Sequence, residues 1–298
     1  MPITSSIIAD SLNPKGNRLT SFILEYPRYV HSEILTHRVF SKNAASSRAI
    51  PIEKMIQQVI DNPAIPTHWG KNQSGMSANE ELSGMDLYEC KKLWLLARDE
   101  MINYVKQLSA SNLHKQIANR ILEPWFHIKI ILSGTEFENF FSLRAHPAAH
   151  PDLQKLAYLM LEQYNASEPK QLKEGDWHIP FGDKIDEERL FNDYLNNYTD
   201  YPALHTISVP DAKRMIAVAR AARISYLNYE GKDDYAADIQ LCNRLFGNTP
   251  KHLSPTEHIA QAQNNSDWSG NYRGFRQFRK FFPDENLSDP RVIKKFPS

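Results

Sequence analysis

The sequence predicts an α+β protein, mainly helical, with a small mixed or antiparallel sheet. Apolar residues recur at helical spacing over several segments, as at Met215, Ile216, Ala219 and Ala222. Arg18 to Leu24 (Arg-Leu-Thr-Ser-Phe-Ile-Leu) has instead the β-branched and aromatic content of a strand. There is no tandem repeat and no low-complexity tract. The 298 residues allow one large domain or two small ones, and we read them as a single domain with an irregular polar connector over 165–185.

In chain order, Pro27 ends the first strand. Val30, Ile34, Leu35 and Val39 then fall at helical spacing, which predicts a helix from Tyr29 to Phe40. Pro51 opens a short helix, Ile52 to Ile60, closed by Pro63. Residues 62–76 read as a loop. Ser77 with Glu80 suits a capping box for a long helix to Leu108, its apolar face including Leu87, Leu93, Leu96 and Met101. A helix over Asn112–Leu122 ends near Pro124, and His127 to Leu132 suits a buried strand or a helix. Thr135 with Glu138 suits a second capping box, and Pro151 starts a helix with Leu153, Leu156, Leu159 and Leu161. Glu187–Tyr198, Pro210–Tyr226 and Asp233–Phe246 follow as helices, with Gly247 as C-terminal cap.

Lys plus Arg and Asp plus Glu both number 35, so no net field draws the chain to nucleic acid or membrane. Anion binding must come from local clusters. Two distant cysteines, Cys90 and Cys242, argue against a disulfide scaffold or zinc site and fit a reducing cytoplasm. No apolar run reaches the roughly 20 residues that span a bilayer, and Met1 to Lys15 does not read as a secretory signal.

His37-Arg38-Val39-Phe40-Ser41-Lys42-Asn43-Ala44-Ala45-Ser46-Ser47-Arg48 concentrates anion-binding groups directly after an apolar run. Arginine offers planar multi-donor chemistry to phosphates and carbonyl edges. The bland alternative is a polar helix end followed by a solvated loop. Asn139 and Arg144 lie little more than a turn apart, though an arginine there also favours the helix dipole. Arg120 stands beside Glu123, with which it can simply pair. His252 to His258 lacks the helical two-histidine spacing of zinc proteases, and Pro255 interrupts it. A Ser-Pro-x-Glu turn offering hydroxyl and carboxylate to a polar ligand fits better, and no metal is expected. Ala221 to Tyr226 suits close helix packing. The tail from Trp268 to Phe281 alternates aromatics and arginines, which can stack bases but suits an amphipathic strand with a basic outer face better. Neither cysteine has the polar setting of a nucleophile.

Together these segments resemble the flavin-dependent thymidylate synthases, a family with its own fold. Its signature Arg-His-Arg-x-x-Ser-x-Asn-x-x-Ser-x-Arg-Tyr is matched by His37, Arg38, Ser41, Asn43, Ser46 and Arg48. Its His-x-Ser/Thr-Pro-Phe-Glu-His segment is matched by His252, Ser254, Pro255, Glu257 and His258; Ala221–Tyr226, Asn139–Arg144 and Asn119–Pro124 resemble three further segments. The order looks circularly permuted, and the resemblance is closest to divergent bacteriophage relatives.

The resemblance implies an FAD enzyme making dTMP from dUMP, with methylenetetrahydrofolate and NADPH as co-substrates, as a homotetramer with sites at subunit interfaces. It implies FAD contacts at His37, Arg38, Asn139, Ser225, Ser254 and Glu257. Ser46, Ser47, Arg48, Arg120 and Arg144 would hold the nucleotide, with Arg144 and His252 as catalytic residues. A related C5 modification such as hydroxymethylation or action on a cytosine nucleotide, and a non-catalytic nucleotide- or nucleic-acid-binding homologue without flavin, stay open. The chain departs from the family pattern at Glu33 for a glutamine, Thr36 and Thr135 for arginines, and Ala49 for the final tyrosine. A glutamate accepts from an exocyclic amine but cannot donate to a carbonyl, so these departures bear on which pyrimidine is accepted.

Overall fold

In the computed structural model, residues 3–195, 207–224, 234–248, 251–282 and 285 are described. Its centre is β2 (Arg18–Pro27), whose Phe22, Leu24 and Tyr26 face one way and Ser21 and Ile23 the other. Both faces are covered, which explains the near-continuous burial of this strand. β2 pairs antiparallel with β1 (Thr4–Leu12) and with β4 (His127–Gly134). β4 also pairs with β3 (Ser41–Ala44), and β1 runs parallel to the short β5 (Lys170–Gln171), giving the order β3-β4-β2-β1-β5.

One face of this sheet meets helices. Val30 precedes α1 (His31–Leu35) and Ile34 lies in it, Met55 and Val59 come from α2 (Ile52–Asp61), and Ile102 and Val105 from α3 (Gly84–Ala110). The four-residue α4 (Lys115–Ala118) adds Ala118, α5 (Glu138–Arg144) adds Phe140 and Phe141, and α6 (Pro151–Ala166) adds Leu153, Leu156 and Met160. Burying each of these large side chains stabilises the fold by about 1.5–3 kcal/mol before entropy is counted.

The other face carries Ile131 and Ile23 against Ala221 and Ile224 of α8 (Val209–Ile224) and against Phe181. α8 is buried nearly all round because α9 (Tyr235–Gly247) covers its far side, and its alanines permit the close approach. A second small sheet runs β10 (Phe275–Gln277), β7 (Ala260–Ala262), β6 (Trp177–His178), and β8 (Trp268–Ser269) and β9 (Tyr272–Arg273) form a hairpin. α7 (Glu187–Arg189) is a single turn capped by Asp186.

Several expectations are corrected. The helix from Tyr29 stops at Leu35, where Thr36 Oγ1 donates to Glu33 O at 2.6 Å, and the middle of the polar stretch is strand β3. Ser77 and Glu80 do not cap α3, which begins at Gly84 after Ser83. α3 packs through Trp94, Met101, Ile102, Val105 and Leu108, leaving Leu93 and Leu96 exposed. Helix 112–122 becomes α4 followed by a 3-10 turn through Trp125. Thr135 is not an N-cap: its Oγ1 accepts from the Arg273 amide at 3.1 Å. Gly247 is the last helical residue and not a left-handed cap. Strand β1 was not anticipated. His127–Leu132 resolves as strand, and Tyr226 and the end of 187–198 lie outside the described residues.

Candidate active site

Three elements meet at the β3 edge of the sheet: the turn after α1, the end of α5, and the 3-10 turn Ser254–His258. Phe140 of α5 meets the His37 ring edge-on at 5.0 Å between centroids, and this contact carries the next turn of α5 toward the polar stretch. Arg144, at the last turn of α5, then reaches back to it. Its Nε donates to His37 Nε2 at 3.0 Å, Nη1 to Glu33 Oε2 at 3.0 Å and Nη2 to Thr36 Oγ1 at 3.3 Å. Because Nε2 accepts, His37 is neutral with its proton on Nδ1. Burial, then Arg144, then Lys42, pushes its pKa down to about 4.

Lys42 stands on the other side of His37 and donates to the His37 carbonyl at 2.5 Å. Burial lowers its pKa, against an opposing pull from Glu257. Glu257 is ion-paired with Arg279, which also meets Glu285 at 3.0 Å. Asn271 in the β8–β9 turn donates to Val39 O at 2.8 Å, and Gln277 of β10 to Ser41 Oγ at 3.1 Å, so the tail covers the polar stretch from one side.

At the other end of β3, Ser47 donates to Glu123 Oε1 at 2.7 Å and Arg120 to the same oxygen at 2.8 Å. The simple Arg120–Glu123 pairing is thus present. Arg38, Ser46, Arg48, Asn139 and Ser254 have no side-chain hydrogen-bond partner among the described residues, and only Ser46 is not exposed. His252 is exposed, tied down through its backbone amide to Leu245 O at 3.0 Å. Ser225 lies outside the described residues. Arg223, two residues earlier, holds buried Asp238 of α9 at 2.9 Å, with Arg220 at 3.5 Å. The tail alternates as an amphipathic strand: Tyr272, Phe275 and Gln277 are buried, Arg273 and Arg276 exposed.

Behind this rim runs a buried chain that sequence reasoning missed. Ser11 Oγ meets His178 Nδ1 at 2.9 Å, and His178 Nε2 meets Ser21 Oγ at 2.9 Å. Ser21 meets Ser133 at 2.6 Å, and Ser133 meets His258 Nδ1 at 2.9 Å. Burial lowers the pKa of both histidines to about 3. The Tyr272 hydroxyl sits among Ser41, Ser133 and Gln277 but completes a full hydrogen bond with none. Only the register Ser21↔Ser133↔Ser41 hints at the chain, and that register is invisible before strands are paired. Lys42, Asn271 and Gln277 were also missed as site neighbours.

The arrangement defines an α+β protein whose sheet edge gathers cations, carboxylates and a neutral histidine. A family model described as thymidylate synthase complementing protein matches residues 19–170, just over half of the chain. The protein belongs to that family and is a thymidylate synthase-like methyltransferase by membership. No curated protein matches the sequence. Among solved structures, the UMP/dUMP methylase PolB from Streptomyces cacaoi bound with 5-Br UMP is 15% identical over 55% of this chain and 89% of that chain, with TM-score 0.47. Its form bound with 5-Br dUMP is 15% identical over 50% and 67%, with TM-score 0.43. Among the described residues no helix is long and apolar enough to cross a membrane, and no group of His, Cys, Asp and Glu is placed to hold a metal ion.

Proposed function

We propose that the protein is an FAD-dependent enzyme acting at carbon 5 of a pyrimidine deoxynucleotide, with dUMP to dTMP conversion as the reference reaction. The observation that carries this reading is the junction of Arg144 with His37, two motif residues 107 positions apart held at 3.0 Å. The exposed Arg38, Asn139 and Ser254, whose side chains have no hydrogen-bond partner among the described residues, suit a dinucleotide, whose phosphates need a cation and whose hydroxyls need amide and hydroxyl partners. With His37, Ser225 and Glu257 they would hold FAD. When bound, the flavin supplies the hydride chemistry between NADPH, methylenetetrahydrofolate and the nucleotide.

The chain's own residues bind, orient and polarise. Ser46, Ser47, Arg48 and Arg120 would hold the nucleotide. The Arg144 guanidinium would stabilise negative charge developing on the pyrimidine ring, in a setting where no cysteine nucleophile is needed. His252, exposed beside the Ser254 turn, would lie near the flavin. Exposure of so many ligand-type side chains in one chain suits a site completed by a second copy, as in a homotetramer.

The test is the absorption spectrum of the purified protein with added FAD, followed by NADPH oxidation with and without dUMP. Flavin binding and nucleotide-stimulated oxidation, abolished in Arg144→Ala, are the expected result. A protein that binds nucleotide but no flavin would instead be a non-catalytic homologue. Production of 5-hydroxymethyl nucleotide would reassign the carbon transfer.

A further inference from the structure

Both departures from the family pattern just before His37 have their side chains on Arg144. Glu33 takes Nη1 at 3.0 Å and Thr36 takes Nη2 at 3.3 Å, while His37 takes Nε at 3.0 Å. Among the described residues these bonds occupy one N–H on each nitrogen and leave one on Nη1 and one on Nη2. Glu33 uses only Oε2 for the pair; Oε1 receives no hydrogen bond from any described residue, and the side chain is about one-third exposed. What remains open to a ligand is therefore two donors beside one acceptor, fixed to one another by an ion pair.

Such a donor–donor–acceptor edge complements cytosine. Cytosine offers O2 and N3 as acceptors and its 4-amino group as a donor. Uracil offers acceptor, donor, acceptor, so its O4 would face a carboxylate oxygen that cannot donate to it. We propose that Glu33 makes this a site for a 4-aminopyrimidine deoxynucleotide of the deoxycytidylate kind, in preference to the 4-oxo nucleotide. The inference rests on Arg144 being the base-edge arginine of the proposed function. In this arrangement Glu33 is the specificity-determining residue, and Thr36 and His37 position the guanidinium.

The experiment is calorimetric titration of the FAD-loaded protein with dCMP and with dUMP, without NADPH or folate. Wild type is expected to bind dCMP roughly tenfold or more tightly than dUMP, which mismatches this edge at both N3–H and O4. Glu33→Gln can turn its amide toward O4, which removes that mismatch while N3–H still faces a donor, and is expected to cut the ratio several-fold. Thr36→Ala is expected to weaken both nucleotides together and leave the ratio unchanged. A nucleotide with hydrogen at carbon 4 keeps O2 and N3 as acceptors and lacks only the donor to Glu33, so wild type should bind it more weakly than dCMP but more tightly than dUMP. Equal or tighter binding of dUMP by wild type, or a ratio unmoved in Glu33→Gln, overturns the inference while leaving the flavin enzyme intact. Flavin binding with no affinity for either nucleotide overturns the proposed function itself, and the inference with it.

Discussion

Two polar assemblies share the same sheet and are built on opposite terms. The chain Ser11–His178–Ser21–Ser133–His258 is sealed from water, and burial keeps both its histidines neutral. The rim around Arg144, Glu33, Lys42, Glu257 and Arg279 is charged and half open to solvent. A buried neutral chain is costly to break, because each orphaned partner bears its full desolvation penalty. A partly exposed ion pair is cheap to exchange, because water and salt replace it. The buried assembly therefore locks the segment 254–277 onto the sheet, and the rim is free to trade partners with a ligand.

The largest expected effect separates the two by pH. His178 and His258 have folded pKa values lowered from about 6.5 to about 3, so between those values the unfolded state binds more protons. Their contribution is fully present above about pH 6.5 and is lost as pH falls toward 3. At about 1.4 kcal/mol per unit per histidine, going from pH 6.5 to 4.5 costs about 5 kcal/mol for the pair. Asp238, raised by burial to about 6, works the other way over pH 4–6 and offsets part of this. Urea titrations across this range check it, and the double variant His178→Gln, His258→Gln should flatten the slope.

His178→Leu removes the partner of Ser11 and one partner of Ser21, and should cost about 2–4 kcal/mol, read as a lower melting temperature at pH 7.5. At the rim, Arg144→Gln should leave the melt nearly unchanged but raise the pKa of His37 from about 4, since it removes the second-largest cause of the shift; NMR titration of the imidazole reports this. The smallest effect is expected for Arg279→Ala, below about 1 kcal/mol and shrinking further in high salt. A rim variant that destabilised as much as His178→Leu would erase the contrast.

Much of the framework was legible because it rests on periodicity. β2, α2, α6, α8 and α9 follow apolar spacing and proline signals that act locally. β1 was not, because its Thr-Ser-Ser-Ile-Ile-Ala-Asp-Ser-Leu is too polar for the strand pattern until β2 and the α6 residue Gln163 supply partners. The leucines of α3 misled because the neighbouring Trp94, Ile102 and Val105 take the buried side. At the site, motif residues could be located one by one, and Glu33 and Thr36 could be flagged as departures. That both would close on Arg144 depends on a contact across more than a hundred residues, which no local pattern encodes.

The turn between β1 and β2 also reaches across the chain. Asn13 accepts from the amides of Lys15 and Asn17, and its Nδ2 donates to Gln263 O, Asn265 O and Gly274 O at 2.9–3.0 Å. Gly274, at φ 72°, has no room there for a Cβ, which would stand 2.4 Å from Asn13 Nδ2. During synthesis the N-terminal hairpin leaves the ribosome long before residues 263–274 do, so its turn carries an unanswered amide until the last sheet forms. The tail-side contacts of the cluster around His37 come from Asn271 and Gln277, so they too can form only once translation has delivered those residues.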